Sequence, residues 1–324
     1  MQRFTQLKIQ SNIDENLFIN SIIPKINSNV EIYTDYFFTR KEENQNNRID
    51  LYFNSNIAKP KIVNIENSIK QIIDVKTKFN HKFNDTQGKF GPMGDELLAD
   101  FYKCTNEVVL KSIGSTVNDY NDRLDIILDL FLVSAHYNYE SITSGYFSFA
   151  SHVNGFFTRW KNPNVLKEKF NKIYLVNKEY IFGKIENLIE KQNLNENSEL
   201  FKKVIRRMKS LMRSEIEKGN MKPFDLNEQK DAGHRDFLEK SPFHNLILEN
   251  PDFIDYMNND IDFLSSRLIT VFTYLMVKNL GLRNLDRYLL CYLIYKAVEE
   301  KYNLDTMNLV RNFKKESIGY VKNK

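Results

Sequence analysis

The sequence pattern predicts an α+β protein: an N-terminal antiparallel sheet of ferredoxin-like βαββαβ order, then a mostly α-helical region. Three observations carry this. Apolar residues alternate at period two in four short runs within the first 85 residues. Between those runs, two stretches carry apolar residues at helical spacing instead. Beyond a glycine-rich linker at 85–94, helical periodicity continues almost to the end. The expected division is therefore an α+β subdomain at 1–85 and a helical subdomain at 86–324.

The elements follow in order. Residues 4–10 alternate, with Leu7 and Ile9 on one side. Residues 14–23 open with acids, as helix N-termini do, and are expected to close near Pro24. Residues 30–39 give the strongest strand signal. Val30, Ile32, Tyr36 and Phe38 share one face, and Glu31, Tyr33, Asp35, Phe37 and Thr39 share the other. A polar loop is expected at 41–47. A strand at 48–53 then turns Ile49, Leu51 and Phe53 inward and Arg48, Asp50 and Tyr52 outward. Ile65, Ile69, Ile72 and Ile73 form a helix stripe, and 75–83 alternates again. With both helices on the Ile/Leu/Phe face, the opposite face is left uncovered. It carries Tyr33, Asp35, Arg48, Asp50, Tyr52, Lys76 and Lys78, and a face that polar is expected to meet solvent, a second domain or a ligand. Helices are then expected at 95–113, 121–137, 146–160, 164–190, 197–218, 235–248, 252–279, 284–301 and 305–315, with a loop at 219–233.

Composition excludes several classes. Hydrophobic residues make up 42% and charged residues 27%, too apolar for a disordered chain. No apolar run approaches the roughly 18–20 residues of a membrane span. The N-terminus lacks an apolar signal core, and two cysteines, Cys104 and Cys291, cannot build a disulfide scaffold or a cysteine-ligated zinc site. The cytoplasm is the expected compartment. Net charge is only +4. The one dense basic stripe is Lys202, Lys203, Arg206, Arg207, Lys209 and Arg213, which reads either as a solvated helix face or as a contact for an acidic peptide or RNA.

No two of the five histidines sit at i, i+4 around an acid, and neither a Gly-x-Ser-x-Gly elbow nor a phosphate loop is present. Two segments stand out. Ser148-Phe-Ala-Ser-His-Val-Asn-Gly-Phe156 is a polar run with a histidine entering a helix; a capped helix start explains it, and so does a site. In the late helix, Ser266, Thr270, Thr273 and Tyr274 form a hydroxyl stripe. Such hydroxyls either bond the carbonyl four residues back or face a cavity.

The segment Asp35-Tyr-Phe-Phe-Thr-Arg40, followed by Arg48-Ile-Asp-Leu-Tyr-Phe53, resembles the "wFFiRy…HlRlRF" block of the C-terminal elimination domain of class I lantibiotic dehydratases. Stand-alone thiopeptide biosynthesis proteins share that block. Three more blocks fit in order. Gly91-Pro-Met-Gly-Asp-Glu-Leu-Leu-Ala-Asp-Phe-Tyr-Lys-Cys-Thr resembles the family's glycine turn and following helix. Ser148-Phe-Ala-Ser-His152 resembles a Ser-x-x-Ser-His block. Residues 266–281 resemble the penultimate helix, which usually reads Ser-Leu-x-His…Asn-Arg-Leu-Gly. The resemblance covers nearly the whole chain.

It implies one of two chemistries. Eliminases of the family remove glutamate from modified Ser or Thr. Pyridine synthases join two dehydroalanines of a linear peptide by formal aza-[4+2] cycloaddition, then lose water and expel the leader. The eliminase arginine pair falls here on Asp50 and Tyr52, and the eliminase histidine falls close to Tyr274. An aspartate about 4 Å from a glutamyl carboxylate costs roughly 4 kcal/mol at an effective dielectric of ~20, where arginine would gain as much. Ring formation needs no anion clamp; it needs neutral donors and acceptors and close positioning. The resemblance therefore implies a cofactor-independent pyridine synthase. Its catalytic candidates are Tyr274, Ser266 and His152, and its substrate contacts are Tyr33, Arg40, Asp50, Tyr52, Ser151 and Thr270. Lys202, Arg206 and Arg207 would bind the leader. The implied partner is a modified precursor peptide, leader plus dehydrated, azole-containing core, with neither nucleic acid nor membrane and no metal. The rivals are a glutamyl eliminase of a split dehydratase and a non-catalytic precursor-binding subunit. The strands lack the aromatic and basic pattern of an RNA-binding sheet.

Overall fold

The computed structural model describes residues 2–9, 13–31, 34–43, 46–221 and 240–314. The chain divides into two compact units, Met1–Ile127 with Phe272–Arg283, and Leu128–Val271 with Asn284–Lys324. The protein is α+β, with its antiparallel sheet at the N-terminus.

In the first unit, β1 (Arg3–Ile9) leads to α1 (Glu15–Leu17), which is capped by the Asp14 side chain and runs through a π turn (Phe18–Ile22) into α2 (Ile23–Asn27). Pro24 does not end this helix. It lies directly after the π turn, inside the first turn of α2, where its missing N–H is tolerated. Then come β2 (Tyr36–Glu43), β3 (Asn46–Asn54), α3 (Lys59–Lys70), β4 (Val75–Lys82) and α4 (Gly94–Ser115). The strands lie in the order β2-β3-β1-β4, every neighbouring pair antiparallel.

Two strand limits differ from expectation. The strand placed at 30–39 begins only at Tyr36, because Thr34 and Asp35 form a turn. Asp35 donates its N–H to the Glu31 carbonyl, and its carboxylate accepts the Glu31 N–H. The loop placed at 41–47 is mostly hairpin, since β2 continues to Glu43 and β3 starts at Asn46.

The helix-covered face is as the alternation requires. Leu7, Ile9, Ile49, Leu51 and Phe53 are buried with Ile62, Ile65 and Ile69 of α3, and Phe18 packs edge-on to Phe38 at 5.1 Å. The opposite face is not uncovered at its centre. Asp50 is 1% exposed and Tyr52 3%. The Tyr52 ring stacks on Phe37 at 4.9 Å and meets Phe83 edge-on at 5.1 Å. Tyr102 of α4 packs in turn on Phe37 and Phe83.

A second correction concerns Arg40. Opposite Ile49 in the register, it lies on the helix-covered face, away from Asp50 and Tyr52. Its guanidinium pairs with Glu15 at 2.7 Å and donates to the Asn279 carbonyl at 2.7 Å. Arg123 holds the same Glu15 at 2.6 Å and the Leu280 carbonyl at 3.2 Å. The Asn279 side chain accepts from the Arg40 N–H and donates to the Phe38 carbonyl, both at 3.0 Å, so it stands where the next strand would pair with edge strand β2. Gly281 follows at φ +77°. A Cβ there would meet Glu15 Oε1 at 3.1 Å, and the left-handed backbone favours glycine independently. The Asn-Leu-Gly end of the family-like block is thus a structural clasp.

Across the two units, α5 (Tyr120–Tyr139) continues from the first into the second. The second holds α6 (Ile142–Phe157), α7 (Pro163–Ile185) with a terminal π turn (Glu186–Glu190), α8 (Glu196–Glu217), α9 (Pro242–Glu249) and α10 (Pro251–Asn259). It also holds α11 (Ile261–Asn279) as far as Val271, then α12 (Asn284–Lys301) and α13 (Thr306–Arg311). The single helix expected at 252–279 is two, broken at Asp260, whose side chain caps α11 by accepting the Phe263 N–H at 2.7 Å. The loop expected at 219–233 lies mostly outside the described residues. Gly145 of α6 lies against α5 so closely that a Cβ would come within 2.6 Å of the Ala135 carbonyl carbon. Phe243, Ile247, Phe253, Met257, Phe263 and Val310 form a hydrophobic cluster at α9, α10, α11 and α13. Among the described residues, no helix is long and apolar enough to cross a membrane.

Candidate active site

The candidates fall into separate groups. Tyr33 lies outside the described residues. In the first unit, Asp50 accepts from Arg48 Nε at 2.9 Å and Nη2 at 3.1 Å, and from Gln6 at 3.2 Å. Gln6 also donates to the Tyr52 hydroxyl at 3.0 Å. Burial above all, with Asp50 and Asp85 adding to it, pushes the Tyr52 phenol far above its ordinary value, so it stays protonated. The Asp50 carboxylate is thus paired with its own guanidinium. A cavity of about 370 Å³ beside the glycine-rich linker has Phe4 and Phe83 in its wall, two of the rings around Tyr52. Tyr274, on the part of α11 that belongs to the first unit, is buried.

In the second unit, the hydroxyl stripe of α11 is tied to the end of α5. Ser266 donates to the Asn138 carbonyl at 2.8 Å, and Asn138 Nδ2 donates to the Ser266 carbonyl at 2.6 Å. Thr270 donates to the carbonyl four residues back, Ser266, at 3.0 Å. Thr270 also lies 3.3 Å from the hydroxyl of Tyr139, which is 2.5 Å from Ser148 Oγ on α6. Tyr139 was not legible as a site residue, since nothing in the sequence separates it from the other tyrosines of an aromatic-rich chain. Burial raises its phenol pKa, partly offset by the two hydroxyls.

One turn along α6, Ser151 Oγ lies 3.1 Å from His244 Nε2, a second contact that the sequence did not reveal. His152 turns elsewhere and stacks on Tyr288 at 4.6 Å, with Phe156 on Tyr288 at 3.7 Å. Burial first, then Arg287 and Arg159, holds the His152 imidazole well below its ordinary pKa, so it is neutral at pH 7. The structure thus brings together Ser266 with Thr270, and Ser151 with His244, while His152 sits in an aromatic stack.

The basic stripe lies on α8. Lys202 and Arg206 both sit over the Tyr137 ring, at 4.6 and 5.8 Å. A cavity of about 670 Å³ beside them is lined by His136, Tyr137, Arg206, Lys209, Arg213 and Asp262. Lys209 donates to the Asn138 carbonyl at 2.8 Å, Arg213 pairs with Asp262 and Glu217, and Arg207 is exposed. Among the described residues, no group of three or more His, Cys, Asp or Glu side chains could hold a metal ion.

An N-terminal four-stranded antiparallel sheet on a largely helical chain is an architecture found in solved structures. The chain is similar over 96% of its length, and 98% of the other, to the crystal structure of TsrL (20% identity, TM-score 0.76). It is similar over 94% of its length, and all of the other, to the pyridine synthase TbtD from thiomuracin biosynthesis (15% identity, TM-score 0.67). At these identities the shared property is the fold. No protein-family model and no curated protein matches the chain.

Proposed function

We propose that this chain is a thiopeptide pyridine synthase, joining two dehydroalanines of a modified precursor peptide by formal aza-[4+2] cycloaddition, with loss of water and elimination of the leader. The observation that carries the reading is the end-to-end likeness to TbtD, a pyridine synthase. A second supports it against glutamate elimination. Where the resembled eliminases carry two arginines, this chain has Asp50, which is neutralised by Arg48, and Tyr52, whose phenol is protonated. At those two positions neither side chain offers a cation to a glutamyl carboxylate.

In this reading Tyr274, Ser266 and His152 supply donors and acceptors for the imidic-acid tautomer and the later proton transfers. Neutral groups suit that task, and His152 is neutral. Ser151 and Thr270 contact the substrate, with Tyr33, Asp50 and Tyr52 as further contacts or supports of the wall, while Arg40 serves the clasp on Glu15 and Asn279. The Lys202 and Arg206 pair on Tyr137, with Arg207, receives the leader. The strand order and the helical stretches between the strands support a ferredoxin-like N-terminal subdomain. In this reading it works with the helical remainder as one cytoplasmic, cofactor-independent catalyst.

The test is mass spectrometry after incubation with a linear, dehydrated, azole-bearing peptide, followed by Tyr274→Phe and His152→Ala. The expected result is a pyridine macrocycle plus free leader from the wild type and severe loss in both variants. Conversion of a glutamylated peptide to a dehydrated one, without ring closure, would favour the eliminase. Binding without any mass change would favour the precursor-binding subunit.

A further inference from the structure

Two serines one turn apart on α6 each meet a different partner: Ser148 has Tyr139, and Ser151 has His244. His244 is anchored from both sides of its ring. Its Nδ1 lies 2.8 Å from Ser241 Oγ, and Ser241 is the N-cap of α9, whose hydroxyl oxygen also accepts the His244 backbone N–H at 3.4 Å. The ring packs edge-on to Phe243 at 5.2 Å and is 7% exposed. Burial, with Arg267 nearby, lowers its pKa to about 4. The ring is therefore neutral and has one proton for two nitrogens. Once Ser241 fixes which nitrogen carries it, the direction of the Ser151 hydroxyl is fixed as well. If Nε2 bears the proton, it donates to Ser151 Oγ and the Ser151 hydroxyl donates onward. If Nδ1 bears it, Ser151 donates to Nε2 and presents lone pairs.

The geometry points to His244 as the positioning residue for Ser151, a relay of three side chains, Ser241–His244–Ser151, that aims one hydroxyl at the peptide. The inference deepens the proposed function and rests on it. In ring formation a hydroxyl of fixed direction either donates to a substrate amide or accepts from its imidic-acid O–H, and so biases which tautomer is favoured. Nothing in the sequence predicts the pairing, because the two residues are 93 positions apart on different helices.

Four enzymes and one spectrum test it. H244L removes the contact, whereas H244Q places an amide near the Nε2 position. With the bis-dehydroalanine peptide, H244L should lower kcat about tenfold or more with KM within about twofold, and H244Q should recover most of the loss. S151A should fall as far as H244L, and the S151A/H244L double variant no further. Wild-type turnover by H244L, or losses that multiply in the double variant, would overturn the proposal. The contact is read apart from turnover by 15N NMR of the full chain: S151A should shift the His244 Nε2 resonance, and an unmoved signal overturns the pairing. A wild-type chain that leaves the peptide unclosed refutes the functional reading, while the NMR shift still decides the pair.

Discussion

Asn279→Ala isolates the clasp on the sheet edge. The side chain is 4% exposed and bridges the Phe38 carbonyl and the Arg40 N–H. Alanine leaves both backbone groups without that partner, yet the Asn279 carbonyl still receives Arg40 Nε, so the change is confined to one amide. A buried backbone group left unsatisfied costs roughly 1–3 kcal/mol, and two such groups set a loss of about 3 kcal/mol or more. At ~1.4 kcal/mol per tenfold, local opening of β2 should rise roughly two orders of magnitude. Hydrogen exchange at the Arg40 amide measures this, alongside the denaturation midpoint. Asn279→Asp keeps an acceptor for Arg40 but turns a carboxylate oxygen toward the Phe38 carbonyl, so exchange at the Arg40 amide should rise less than in the alanine variant. Unchanged exchange at Arg40 together with an unchanged midpoint in the alanine variant would refute the clasp.

Further outcomes are expected elsewhere. Gly145→Ala drives a methyl into the Ala135 carbonyl, so it should lose more than about 4 kcal/mol; a normal melting midpoint would show that α5 and α6 can part. His244 protonates near pH 4 folded but near 6.5 unfolded, so its contribution is complete above about 6.5 and is lost as pH falls toward 4. That amounts to about 3 kcal/mol, and the stability-versus-pH slope should flatten in H244L. Arg206→Glu beside Lys202 and Tyr137 should raise KM for the leader-bearing peptide, an effect that shrinks with salt; an unchanged KM would leave α8 as plain surface.

Much of the first unit was legible because its periods are clean. Ile49, Leu51 and Phe53 alternate, and Ile65 and Ile69 repeat at helical spacing, so strand and helix were fixed locally. The edges were not. Residues 41–47 are all polar in sequence, and nothing alternates there to reveal a strand. Thr34 and Asp35 look like strand residues until their turn bonds are seen. The cover over Asp50 and Tyr52 was out of reach for another reason. Phe83, Tyr102 and Gln6 come from distant segments, and no periodicity reports a ring arriving from 50 residues away. Ser266 and Thr270 lie on one helix as their spacing implies, and their bonding to Asn138 follows from a helix meeting that only the fold supplies. Ser151 is singled out by its motif, whereas His244, on a short helix with no matching pattern, is not.

The clasp also sets a timetable for synthesis. All four strands have left the ribosome by Ile127, yet Asn279 comes about 150 residues later. At roughly 5–20 residues per second the nascent sheet waits on the order of 10–30 s with its outer strand unguarded. During that interval the newborn chain is open to pairing with other nascent chains, and translation speed or a chaperone, more than final stability, would govern how much of it survives to completion.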